Sequence, residues 1–91
     1  MPSYSAPLRD MRFVLFELLR VQDEFAAMPR FAELDTETID AVLEEAARFA
    51  QHVAHPLNAI GDREGCRIDA EGNVTTPTGF RAAYRQWIEA G

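Results

Sequence analysis

The chain has no lysine: its nine basic residues are all arginine, set against fifteen acidic ones, for a formal net charge of −6. Charge of that sign disfavours nucleic acid and anionic membrane surfaces as partners. There is one cysteine, Cys66, so no internal disulfide forms and nothing asks for an oxidising compartment. No apolar run approaches the roughly 18 residues that suggest a membrane span. The opening MPSYSAPLRDMR lacks a basic stretch followed by an apolar one. The expected location is the cytoplasm, with no membrane partner. The five glycines are scattered, which leaves no glycine-rich phosphate loop, and there is no HExxH or Cys/His cluster, internal repeat or low-complexity tract.

What is present is helical period. Hydrophobic residues make up 47 % of the 91, which suffices for a small globule with a modest core. The organising stretch runs from Leu34 to Asp62. At 100° per residue, Ile39, Val42, Leu43, Ala46, Phe49, Ala50, Val53, Leu57 and Ile60 share one broad arc, and the opposite arc is polar. Asp35 is placed to cap the free N–H groups, with Leu34 and Ile39 forming a hydrophobic staple. Pro56 lacks an N–H and its ring crowds the carbonyl four residues back, but Leu57 and Ile60 return in phase. The sequence therefore predicts a kink at Pro56 rather than a stop.

An earlier helix is predicted over about 7–27, where Leu8, Met11, Val14, Leu15, Leu18, Leu19, Val21 and Phe25 share an arc that only Gln22 interrupts. Phe13 and Phe16 fall on the charged side of that helix. Two large aromatics on an outer face mark a candidate interface, either with a partner or with a second copy of the chain. Met28-Pro29 ends this helix. Beyond Asp62, residues 66–76 read as a short hairpin or paired loop around Asp69-Ala70-Glu71-Gly72-Asn73. Thr76-Pro77 reads as a cap and first turn for a helix over 77–90, with Phe80, Ala83, Tyr84, Trp87 and Ile88 on one arc. The expected fold is all-α: a single domain, a small bundle of about three main helices (7–27, 36–62 and 77–90) with a hairpin at 66–76.

The chemistry-bearing residues do not assemble into a centre. His52 and His55, three apart, could share a ligand, but a metal needs more donors and both lie on the polar arc. Asp69, Glu71 and Asn73 imitate half of a calcium loop, yet Val74 stands where glycine is required and Phe80 where the closing glutamate belongs. Asn73-Val74-Thr75 is a glycosylation triplet without a secretory route. Cys66 neighbours Arg63 and Arg67 but has no partner base. Ser3 and Ser5 sit in a terminus unsuited to a rigidly held nucleophile. Glu44 and Glu45 diverge by 100° on a helix, and Glu44 is better matched to Arg48 one turn on. No catalytic, cofactor-binding or metal residue is assigned.

Taken together, several segments carry a resemblance. They are Tyr4-Ser5-Ala6-Pro7-Leu8-Arg9-Asp10-Met11-Arg12-Phe13-Val14-Leu15, then Glu44-Glu45-Ala46-Ala47-Arg48-Phe49-Ala50 running into His55-Pro56-Leu57-Asn58. Gly61-Asp62-Arg63-Glu64-Gly65-Cys66 and Thr76-Pro77-Thr78-Gly79-Phe80-Arg81-Ala82-Ala83-Tyr84 follow. In this order they resemble the N-terminal region of bacterial acyl-CoA dehydrogenases, in the subgroup with an N-terminal arm. The resemblance implies a much longer FAD enzyme that desaturates an acyl-CoA thioester with a glutamate base, its flavin held among a helical N-terminal domain, a middle β domain and a helical C-terminal domain. This sequence ends at Glu89-Ala90-Gly91, before the flavin-binding segments and the base, so no family residue falls on a numbered position here. Two expectations follow: an inert N-terminal segment of such an enzyme, with the remaining domains as partners, or a free-standing helical module that self-associates, most simply as a homodimer.

Overall fold

The computed structural model describes residues 3–91 and is mostly helical, with one two-stranded sheet. Contacts divide it into two units, residues 5–48 in one and residues 3–4 with 49–91 in the other.

In the first unit, α1 (Leu8–Arg12) starts after Pro7, whose carbonyl accepts the Met11 N–H at 3.0 Å. The helix continues as a π-helical stretch, Phe13–Leu18, and then stops. Arg20 takes up a left-handed conformation, φ 51° and ψ 53°, before α2 (Val21–Ala26). The helix expected over 7–27 is thus interrupted. Leu19 donates to the Val14 carbonyl at 2.9 Å, and the Gln22 side-chain amide donates to the Phe16 carbonyl at 3.1 Å, one of those a helix end leaves open. The one polar residue on the apolar arc is the one that closes the break. A 3₁₀ turn, Pro29–Phe31, follows, with the Phe31 and Phe25 rings 5.8 Å apart. Next, α3 (Thr36–Phe49) begins as its sequence indicates. Asp35 Oδ1 accepts the Thr38 N–H at 2.8 Å, and Leu34 and Ile39 are both half-buried. That N–H, foremost, holds the Asp35 carboxyl below its usual pKa.

In the second unit a π-helical stretch, Ala50–Ala54, leads into α4 (His55–Glu64). Helix lies on both sides of Pro56, as expected. Ahead of Pro56 the helix is widened: the His55 N–H reaches the Ala50 carbonyl, five back, immediately before the proline. That widened turn eases the crowding of the ring against the preceding carbonyls. α4 ends at Gly65, φ 66°. Strands β1 (Arg67–Ile68) and β2 (Val74–Thr75) pair antiparallel, Arg67 opposite Thr75 and Ile68 opposite Val74. Their five-residue loop is built on Asp69, whose Oδ1 accepts the Glu71 and Asn73 N–H groups, both at 2.9 Å.

The last helix, α5 (Phe80–Glu89), starts later than Thr76-Pro77 suggests. Pro77 is buried, its carbonyl accepts the Phe80 N–H, and the Thr78 N–H is taken at 2.8 Å by the Glu64 carboxylate. Gly79, at φ 90°, makes the turn into the helix. It also lets Leu57 in close: a Cβ at Gly79 would stand 2.7 Å from Leu57 Cδ2. Gly79→Ala is therefore expected to destabilise the protein by about 1–3 kcal/mol through backbone strain. Urea titration followed by circular dichroism measures it, and a loss below about 0.5 kcal/mol means that the turn is not needed.

Candidate interaction surfaces

Among the described residues only Ala47 and Pro77 are buried, so the features that bear on function are faces rather than a cavity. In the first unit those faces are set by Arg12. Its Nε donates to Asp40 and a terminal guanidinium nitrogen donates to Glu44, two carboxylates one turn apart on α3. The hydrogen bonds to Asp40 and then Glu44 hold the guanidinium protonated beyond its ordinary range. The expected Glu44–Arg48 pair does not form. Glu44 turns to Arg12, and Arg48 pairs with Glu45 at 2.5 Å.

With Arg12 directed at α3, the half-buried side of the first helix is Leu8, Arg12, Leu15 and Phe16. That side is rotated away from the arc that the sequence makes most apolar. Of the two interface candidates, Phe13 lies at the surface, 59 % exposed, whereas Phe16 is half-buried. Met11, Val14, Leu18 and Leu19, read as inward, are exposed, Leu18 at 66 %. On α3 the same rotation leaves Val42 62 % exposed, while Ala47, absent from the expected arc, is its most buried residue. Period analysis finds an apolar arc but does not see an ion pair that re-aims it.

The second unit carries an open groove of about 330 Å³ between α4 and α5, lined mainly by Phe49, Leu57, Asn58, Phe80, Tyr84 and Trp87. Two contacts shape it. The Phe80 ring stands over Gly61, where a Cβ would come within 2.7 Å of Cζ. The Trp87 ring meets Phe49 edge to face, centroids 5.1 Å apart. Phe80, Ala83, Tyr84, Trp87 and Ile88 do share an arc, but Tyr84 (67 %), Trp87 and Ile88 remain largely in water. The roles of Gly61 and Gly79 as contact points were not read from the sequence. Their spacing from bulky partners across the fold is the only signal, and it is not a local one.

The polar candidates stay apart. Among the described residues no three His, Cys, Asp or Glu side chains come together as a metal set. His52 is exposed, and the His55 ring lies 6.1 Å from that of Tyr4. Cys66 is exposed. Asp69, Glu71 and Asn73 make a turn, the Asn73 amide also donating to Asp69 Oδ2 at 3.2 Å. A smaller cleft of about 190 Å³ lies among Glu64, Arg67, Thr75, Thr76 and Thr78. No helix among the described residues is long and apolar enough to cross a membrane.

The hairpin gives a pH dependence with a definite sign. The Asn73 N–H, first, and then the Asn73 amide and Glu71 N–H hold the Asp69 carboxyl below its ordinary pKa. The Thr78 N–H does the same for Glu64. In the unfolded chain these groups bind protons more readily. Their stabilisation is thus complete above the usual carboxylate range of about 4, and is lost as pH falls through the depressed folded values. Amide chemical shifts of Glu71, Asn73 and Thr78 are expected to hold from neutral pH to about 4 and to collapse only below it. Collapse between pH 7 and 5 contradicts the assignment.

Comparison with known proteins adds the following. No protein-family model matches the chain. The chain is 36 % identical over 89 residues, 98 % of its length, to the 3-methylmercaptopropionyl-CoA dehydrogenase of Ruegeria pomeroyi (strain ATCC 700808 / DSM 15171 / DSS-3). It spans 15 % of that relative's length, at its N-terminal part.

Proposed function

We propose, on the premise that this chain is similar along nearly all its length to the N-terminal part of an acyl-CoA dehydrogenase, that it serves as the N-terminal helical segment of an enzyme of that kind. Its work there is structural: it offers apolar helix faces to the remaining domains. The reaction, FAD-dependent α,β-desaturation of an acyl-CoA thioester, is assigned to segments outside these 91 residues, in a cytoplasmic enzyme. The likeness carries the reading, and the uncovered faces of α1 and α5 support it. Helices that leave Leu18 in the first unit and Tyr84 and Trp87 on α5 in water are more economical with a neighbour to cover them.

The chain's own residues do not fit a flavin dinucleotide. A diphosphate is held by clustered backbone N–H groups where glycines open a helix start. Here the glycine at the start of α5, Gly79, is closed over by Leu57. The groove between α4 and α5 presents mainly rings and aliphatic carbons. The purified chain is accordingly expected to be colourless and to reduce no electron acceptor with an acyl-CoA. Flavin absorbance at near-stoichiometric level after reconstitution with FAD overturns this part of the reading.

Without the remaining domains, a second copy is the simplest cover for the first helix, through Phe13 with its exposed neighbours Leu18 and Leu19. Phe16 is half-buried and is left in place in the test. The chain is expected to sediment as a dimer at high micromolar concentration, and Phe13→Ser with Leu18→Ser to shift it to monomer with its circular dichroism unchanged. A monomer before any substitution rules out self-association.

A further inference from the structure

We propose that residues 13–26 form a two-state hinge, bent at Leu19–Arg20 in this structure and able to close into one continuous α-helix. The apolar spacing from Leu8 to Phe25 keeps a helical period with no glycine or proline inside it, so nothing in the sequence calls for a break. The structure inserts one by two departures. Phe13–Leu18 is π-helical, and Arg20 is the only non-glycine residue with positive φ among the described residues. Glycine, or sometimes asparagine, is the usual residue at such a helix end; an arginine has its Cβ crowded there.

Small contacts hold the bend. Gln22 Nε2 donates to the Phe16 carbonyl at 3.1 Å, Arg20 Nε donates to Asp23 at 2.7 Å, and the Asp23 N–H reaches the Arg20 carbonyl at 3.0 Å. Other features oppose it. Gln22 Oε1 is buried with no partner among the described residues, and Leu18 and Leu19 are both exposed. In the closed form Arg20 returns to the right-handed region and its own N–H takes the Phe16 carbonyl, releasing the Gln22 amide. Met11, Leu15, Leu18 and Gln22 then fall on one stripe. Local side-chain bonds favour one state and backbone conformation the other, which is the condition for a bistable element. Closing the hinge exchanges the face that the first helix presents.

The test uses the whole 91-residue chain with Cys66→Ser and spin labels attached through Arg9→Cys and Ala27→Cys, all at exposed positions. Pulsed electron resonance reads the separation, which for a continuous helix over these residues is about 27 Å along the axis. With Arg20 retained, a shorter distance dominates. Arg20→Gly, which removes the Cβ crowding, narrows the distribution to that shorter distance. Arg20→Ala raises the long population several-fold, and Arg20→Ala with Gln22→Leu makes it the majority. If the double variant does not fold, the Arg20→Ala and Arg20→Gly distributions still decide the matter. The same single short distance in both means a fixed bend and overturns the proposal, as does a long distance in the Arg20→Gly variant.

Discussion

Arg12 reaches two carboxylates on α3, and most of what is unusual about the first unit follows from that reach. A guanidinium is a planar fork that satisfies two acceptors only from one direction. Asp40 and Glu44 lie one helical turn apart, so the direction is set along α3 as well as toward it. All three side chains remain about a third or more exposed, so the ion pairs are screened and add little to stability. Their effect is orientation. Once Arg12 faces α3, Leu8, Leu15 and Phe16 must share its side, and the most apolar part of the helix turns away.

The second unit depends on closeness. Two glycines let large side chains approach the backbone: Phe80 over Gly61 on α4, and Leu57 against the turn at Gly79. A side chain at either place would push α5 outward and open the contact between Trp87 and Phe49. The Glu64 carboxylate, which accepts the Thr78 N–H, keeps the chain leading into α5 beside the end of α4. Contact here is by a few well-placed rings, with the groove left between them. This is why α5 can be strongly two-faced in sequence and still show Tyr84 and Trp87 to solvent.

The sequence made the local features legible and left the long-range ones hidden. The all-α character, the cap at Asp35, the passage of helix beyond Pro56 and the hairpin about Asp69 each follow from residues within a turn or two of one another. A cap, a staple or an Asx turn is a short-range hydrogen-bonding pattern that composition and spacing encode directly. The Arg12 contacts join residues 28 and 32 positions apart, and a period of 3.6 carries no trace of them. The same holds for Phe80 over Gly61. The break at Arg20 is a different failure: local propensity and apolar period both favour helix there, and a side chain, Gln22, supports the alternative by taking the Phe16 carbonyl. Of the two interface residues named from the sequence, Phe13 is exposed and Phe16 is half-buried because the helix is rotated by Arg12. The resemblance to the N-terminal part of an acyl-CoA dehydrogenase was legible because it rests on the order of many short segments rather than on any single site.

These features bear on why such a segment would be built with so little interior. A domain of this size buries only about 60–65 % of the surface its unfolded chain exposes. Cys66 stands alone, and no cluster of metal donors exists among the described residues. The segment's large exposed apolar side chains include Phe13, Leu18 and Leu19 on the first helix, and Tyr84, Trp87 and Ile88 on the last. Two acidic side chains of α3, Asp40 and Glu44, are drawn to Arg12. The segment sets its helices by a cap at Asp35, by turns and by a few close ring contacts, and leaves much of its apolar area in water.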